Sequence, residues 1–200
     1  MTRTPDRDAA ACERFRAYLK MLAEVRLPAY AVGKLDASDL VQQTLARAVQ
    51  GWGELRAVDD AQVAAWLRKI LANQLANALR DLRRDRRDAA RERSIEQALD
   101  ESSARLETWL ASPQTSPSLR AERGEQLLRV AAALAELPDA QRQAVALYHL
   151  GDRPLDEIAE QMERSPAAVA GLIKRGLKGL REKLAADGSR SLAPKSPGAS

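Results

Sequence analysis

The sequence predicts an all-α protein: two small helical domains joined by a flexible linker, with a helix-turn-helix in the second domain. Three observations predict it. Aromatic residues make up only 4% of the 200 residues while alanine, leucine and arginine dominate, a composition that favours helices over sheets. Apolar residues recur at three- and four-residue spacing through most of the chain. Between two such regions the sequence changes character, with Asp100, Glu101 and Glu107 followed by S-P-Q-T-S-P-S around Pro113 and Pro117, where prolines and serines interrupt any long helix. These shifts place a first domain at residues 1–93, a linker with a short helix around Ile95 to Leu110 at 94–124, a second domain at 125–186 and a disordered tail at 187–200.

Taken in order, residues from Cys12 to Val32 carry Phe15, Tyr18, Leu19, Leu22 and Val25 at helical spacing, with Pro28 marking the end. A second helix begins near Asp36-Ala-Ser-Asp39, where Asp or Ser can cap. It runs through Leu40, Val41, Thr44, Leu45, Ala48 and Val49 to the breaker Gly51-Trp52-Gly53. Asp39, Gln42, Gln43 and Arg47 fall on its exposed face. A third helix starts near Asp60, packs Val63, Trp66, Leu67, Ile70, Leu71, Leu75 and Leu79, and turns Arg68, Lys69, Asn73, Asn77 and Arg80 elsewhere. Its end is strongly charged: arginines at 80, 83, 84, 86, 87, 91 and 93 outnumber Asp81, Asp85, Asp88 and Glu92. Charge alone fits either a solvated helix with spaced ion pairs or a phosphate-contacting surface.

The second domain opens with Leu127, Leu128, Ala131, Leu134 and Leu137, pauses at Pro138-Asp139, and resumes with Val145, Leu147, Tyr148 and Leu150 before Gly151-Asp152. From Pro154 to Leu184 the chain reads as two helices joined by a short turn. Ile158, Met162, Val169 and Leu172 hold the pair together, and the small Ala159 lets them approach. Ser165 caps the second helix and Pro166 occupies its first position, where a missing N–H costs nothing. Val169, Leu172, Ile173, Gly176, Leu177, Leu180 and Leu184 line one side; Lys174, Arg175, Lys178, Arg181 and Lys183 supply charge to the rest. The turn carries Glu163 and Arg164 where such turns commonly carry Gly and an apolar residue, which predicts either a looser turn or an outward Arg164.

The net charge of +4 is modest support for a polyanionic partner, and the clustering says more than the total. Cys12 is the only cysteine, so one chain can build neither a disulfide nor a thiolate metal site, which fits a reducing, cytoplasmic setting. No apolar run approaches the roughly twenty residues that cross a bilayer, and the N-terminus lacks a signal peptide's apolar core, so no membrane insertion is expected. No metal-ligand cluster or phosphate-cradling glycine loop is present, and His149 stands in an apolar run that suits a packed or surface histidine. No catalysis, cofactor or metal is expected.

In this order the segments resemble an extracytoplasmic-function sigma factor, a small two-domain promoter-recognition subunit of bacterial RNA polymerase. The likeness covers about Phe15 to Leu184. D-A-S-D-L-V-Q-Q-T-L-A-R-A at Asp36 to Ala48 is similar to the family's D-L-V-Q-E helix, and W-L-R-K-I-L-A-N-Q-L-A-N-A-L-R-D at Trp66 to Asp81 to its promoter-melting helix. L-P-D-A-Q-R-Q-A-V at Leu137 to Val145 is similar to the segment before its helix-turn-helix.

The resemblance implies that Asp39, Leu40, Gln42 and Gln43 dock on the polymerase β′ clamp, with Gln43 replacing a frequent acid. It implies that the loop from Leu55 to Asp60 captures a base flipped from the minus-10 element, with Arg56, Arg68, Lys69, Asn73, Asn77, Arg80, Arg83 and Arg84 as further minus-10 contacts. Leu55 stands where many relatives have an aromatic, and Asn77 where many have Asp. The helix from Pro166 would enter the major groove of the minus-35 element, presenting Ser165, Ala167, Ala168, Ala170, Gly171, Lys174, Arg175 and Lys178. The alanines offer no side-chain hydrogen bonds, so Lys174 and Arg175 are the candidates for guanine edges or phosphates. The implied partners are core RNA polymerase, at its β′ clamp and β flap, and promoter DNA; an anti-sigma factor is left open. The linker would lie in the RNA exit region.

Two other readings compete. A stand-alone repressor or activator would use only the helix-turn-helix, leaving the first domain to sense a ligand or dimerise. A recombinase or nuclease would need clustered carboxylates or an activated Ser or Tyr, and Tyr18, Tyr30 and Tyr148 have no such setting.

Overall fold

The computed structural model describes residues 5–55, 59–83, 89–110 and 120–191. Among them the chain forms α1 (Pro5–Glu13), α2 (Arg16–Arg26), α3 (Ala37–Gly51), α4 (Asp60–Arg83), α5 (Ala89–Leu110), α6 (Arg120–Ala135), α7 (Asp139–His149), α8 (Leu155–Gln161) and α9 (Pro166–Ser191). The all-α reading holds, with no strand among the described residues.

The helix expected from Cys12 is two helices, broken at Arg14-Phe15. α2 stops at Leu27, whose extended backbone (φ −65°, ψ 120°) is what a following proline enforces on the residue before it. A 3₁₀ turn at Ala29–Ala31 leads on to α3. Asp36 caps α3, its carboxylate accepting the Ser38 N–H at 2.7 Å, and Asp59 caps α4 by accepting from Gln62 N–H at 2.8 Å. Each cap satisfies an N–H that the helix itself leaves without a partner. Trp52 meets Trp66 edge-on at 6.1 Å between centroids, fixing the turn after α3 against the start of α4.

The main core gathers Phe15 from the break before α2, Tyr18, Leu19 and Leu22 of α2, Leu67, Leu71 and Leu75 of α4 and Leu99 and Leu106 of α5, all essentially without exposure. It continues into the second half through Leu134, Val145, Leu150 and Leu180. Each fully buried leucine contributes about 1.5–3 kcal/mol relative to exposure, so this shared core is the largest stabilising term. The short helix expected at Ile95 to Leu110 is present and longer, starting at Ala89. Its serines Ser102 and Ser103 are as buried as its leucines. Pro113 and Pro117 fall outside the described residues.

A second, smaller core of Ala144, Leu147, Ile158, Ala159, Val169, Leu172 and Ile173 binds α7, α8 and α9. It contains the apolar residues expected to join the helix-turn-helix, with Met162 packed at its edge. Residues 187–191 of the expected tail belong to a helix, and residues 192–200 lie outside the described residues. α9 runs to Ser191, and Asp187 lies 3.7 Å from Arg129 of α6.

Candidate nucleic-acid interface

The outer face of α3 presents Asp39, Gln42 and Gln43 to solvent. Leu40 does not join them. It is 4% exposed within the core, and its carbonyl accepts the Thr44 hydroxyl at 2.7 Å. The hundred-degree step of the helix turns Leu40 inward while Asp39, Gln42 and Gln43 face out, so Leu40 supports this face and does not present itself on it.

On α4, Lys69 and Asn73 are exposed, and Asn77 and Arg80 are half-buried. Spaced at i, i+4, i+8 and i+11, these four share one stripe of the helix. Asn77 accepts a hydrogen bond from the Arg80 guanidinium, which orients both side chains along it. Arg68 is a step round the helix and serves another purpose. Its side chain is 13% exposed, and its guanidinium donates to Asp100 Oδ1 at 2.6 Å, Tyr18 Oη at 2.8 Å and Ser103 Oγ at 3.3 Å. Burial works against its charge, but Tyr18 and Asp100 outweigh that and hold its proton more tightly than in a free arginine. Arg68 is therefore held at the α2–α4–α5 junction in this conformation.

Leu55 is half-buried and packs against the main core. Arg56 and Arg84 lie outside the described residues, as do residues 57 and 58 of the expected capture loop. Arg83 closes α4.

The helix-turn-helix owes its shape to a left-handed residue. Glu163 has φ +52°. Around it Arg164 N–H reaches Ala159 O at 2.9 Å and Glu163 N–H reaches Glu160 O at 3.1 Å, the paired bonds that close a helix through a left-handed residue. The turn is thus the tight one, made without glycine, and Arg164 is exposed. Ser165 then caps α9, its hydroxyl accepting the Ala168 N–H at 3.2 Å.

From this cap, Ala167, Ala168 and Ala170 are exposed, followed by Lys174, Arg175, Lys178 and Arg181. Arg175 folds back along the helix over half-buried Gly171, where an added β-carbon would meet its guanidinium at 3.2 Å. Lys178 is 3.8 Å from Glu182 with both side chains largely in solvent, a pair too exposed to hold it. Lys183 leaves the basic face, since its ammonium donates to Glu136 Oε2 at 2.7 Å. The outer face of α8 is acidic, with Asp156, Glu157 and Glu160 exposed. The first two suit the positive end of their own helix, and their charge leaves α9 as the face that attracts a polyanion.

His149 closes α7 edge-on to Tyr148, and burial lowers its pKa, favouring the neutral ring. Among the described residues no group of His, Cys, Asp and Glu is arranged to hold a metal, and no helix is long and apolar enough to cross a membrane. The sequence pattern did not disclose the role of Ser102 and Ser103. They look like linker residues by type, and only their regular spacing from Leu99 and Leu106 places them on an inward face.

A helical module with an exposed polar helix, followed by a helix-turn-helix with a basic second helix, is the architecture of a DNA-binding transcription protein. Family comparison makes this particular. Residues 15–85 match sigma-70 region 2 and residues 127–180 match sigma-70, region 4. The two stretches cover more than half of the chain, which belongs to the sigma-70 family. No curated protein sequence matches it. The two regions give it a sigma factor's role in promoter recognition, with core RNA polymerase and promoter DNA as partners.

Proposed function

We propose that this chain is a sigma factor of the extracytoplasmic-function type, which carries core polymerase to its promoters and begins their melting. One observation carries the subtype: only residues 86–126 separate the two family regions, too short a stretch for another domain with its own core.

In this reading Asp39, Gln42 and Gln43 dock on the β′ clamp, and the second half meets the β flap. Unstacking a base costs a few kcal/mol. Leu55 and the loop after it, with Lys69, Asn73, Asn77 and Arg80, offset that cost by apolar contact, edge hydrogen bonds and phosphate contacts. The same reading assigns Arg56, Arg83 and Arg84 to contacts with minus-10 DNA. α9 enters the major groove of the minus-35 element. Ser165, Ala167, Ala168, Ala170 and Gly171 allow close approach and contact with thymine methyls, while Lys174, Arg175 and Lys178 reach guanine edges or phosphates. An anti-sigma factor would compete for these same exposed faces.

Reconstitution tests the assignment. The purified chain should bind core polymerase and confer start-site-specific transcription on it, with transcript starts mapping downstream of a shared pair of elements. A chain that binds a palindromic site by itself and ignores core polymerase would instead be a stand-alone regulator.

A further inference from the structure

We propose that Gly171 is a positioning residue of promoter recognition: having no side chain, it leaves a track along α9 on which Arg175 lies toward the N-terminal end of the helix, where its guanidinium reads one guanine. This rests on α9 being the minus-35 reading helix, as proposed above.

Glycine inside a helix is destabilising relative to alanine, so each one in α9 calls for a reason. At Gly176 an added β-carbon would lie 2.7 Å from Val145 Cγ2, and at Gly179 it would lie 3.1 Å from Leu137 Cδ2. Packing within the second half keeps both small. Gly171 has no such neighbour. The three nearest heavy atoms that a β-carbon would meet there all belong to Arg175: Nη1 at 3.2 Å, Nη2 at 3.7 Å and Cζ at 3.8 Å. Nor is the Gly171 backbone left-handed, so the conformation does not require glycine. What the missing side chain makes room for is the Arg175 guanidinium.

Ala167, Gly171, Arg175 and Lys178 follow one another at i, i+4, i+8 and i+11 and so share a stripe of the helix. A helical side chain leans toward the N-terminus. With only a hydrogen on Gly171 and a methyl on Ala167 ahead of it, the guanidinium lies about one turn, or ~5.4 Å, N-terminal to its own α-carbon. That end of a recognition helix is the one that meets base edges. The exposed Ala167, Ala168 and Ala170 offer it methyl contacts alone, and Arg175 brings the hydrogen-bond donors. Its planar fork matches O6 and N7 of guanine, whereas the ammonium groups of Lys174 and Lys178 are point charges without that geometry.

Selection of bound promoters from a pool randomised across the minus-35 element, by the full chain assembled with core polymerase, tests the role of Gly171. The parent should prefer guanine at one position by about ten- to a hundredfold. Arg175→Ala should lose that preference and leave the other positions as they were. Gly171→Ala puts a methyl under the guanidinium and tilts its donors away from the base. It should cut the same preference about three- to tenfold, with the other positions unchanged and a melting temperature no lower than the parent's, since alanine is the better helix former. The double variant should match Arg175→Ala, because Gly171 acts only through Arg175.

A Gly171→Ala chain that keeps the full guanine preference, or that loses binding to all sequences alike, would overturn this role. So would a lowered melting temperature, or a double variant that discriminates less than Arg175→Ala alone. In each of these cases, loss of the preference in Arg175→Ala would leave α9 as the minus-35 reading helix. If Arg175→Ala changes no base preference while the assembled polymerase still selects promoters, that reading of α9 falls, and the role of Gly171 with it.

Discussion

Gly176 of α9 sits so close to Val145 of α7 that an added β-carbon would lie 2.7 Å from Val145 Cγ2 and 3.3 Å from the Gln141 carbonyl oxygen. This approach seats the candidate reading helix on the rest of the second half. Gly176→Ala should gain roughly 1 kcal/mol of helix propensity and lose about 1–3 kcal/mol to overpacking. A net loss of about 1 kcal/mol by urea unfolding is expected; a stabilised variant would show that α7 gives way freely.

Arg68 and Lys69 are neighbours in sequence with opposite expected phenotypes. Arg68→Ala removes the charge-assisted hydrogen bonds that its guanidinium donates to Asp100, Tyr18 and Ser103 and should cost about 1–3 kcal/mol of stability. Lys69→Ala, at a side chain 66% exposed, should change stability by less than about 0.5 kcal/mol and weaken bubble-DNA binding. Thermal melts set beside binding assays separate the two, and equal stability losses would contradict the division.

Glu163 holds a left-handed conformation that costs a side-chain-bearing residue roughly 1–2 kcal/mol. Glycine removes that strain but frees the unfolded chain by a fraction of the same amount. Glu163→Gly should therefore stabilise the second half by about 0.5–1 kcal/mol, read as a raised midpoint in urea, with polymerase-dependent promoter binding unchanged.

Asp39→Arg with Gln42→Ala alters only exposed side chains. Helicity and melting temperature should stay nearly as they are, while association with core polymerase is lost in a pull-down. Intact association would remove α3 from the docking surface.

A promoter with a premelted bubble over the minus-10 element separates the two halves by function. Asn73→Ala should recover much of its defect there, because unpairing is supplied in advance. Arg175→Ala should stay impaired, losing about 1–3 kcal/mol if it reads a base edge in duplex. Lys178→Ala should lower the salt slope by about one without changing base preference. Rescue of Arg175→Ala but not of Asn73→Ala would reverse the assignment of the halves.

The sequence by itself determined the all-α class, a cap within Asp36 to Asp39, the cap at Ser165, and the apolar residues of the helix-turn-helix. It also placed the exposed faces of Asp39, Gln42 and Gln43 and of Lys174, Arg175 and Lys178. Periodicity and capping are local physics, set by residues within a turn or two of each other. Only tertiary structure decided that Arg68 turns to Tyr18 and Asp100 while Lys69 stays in solvent, that Lys183 goes to Glu136, and that Ser102 and Ser103 are buried ties between the halves. Each of these depends on a partner distant in the sequence: the Arg68–Tyr18, Lys183–Glu136 and Ser102–Leu150 contacts span 50, 47 and 48 positions. A charged or hydroxyl side chain on a helix looks the same in sequence whether water or a buried partner satisfies it. Tertiary packing makes that choice, because a polar group taken from water must find its hydrogen bond inside the protein.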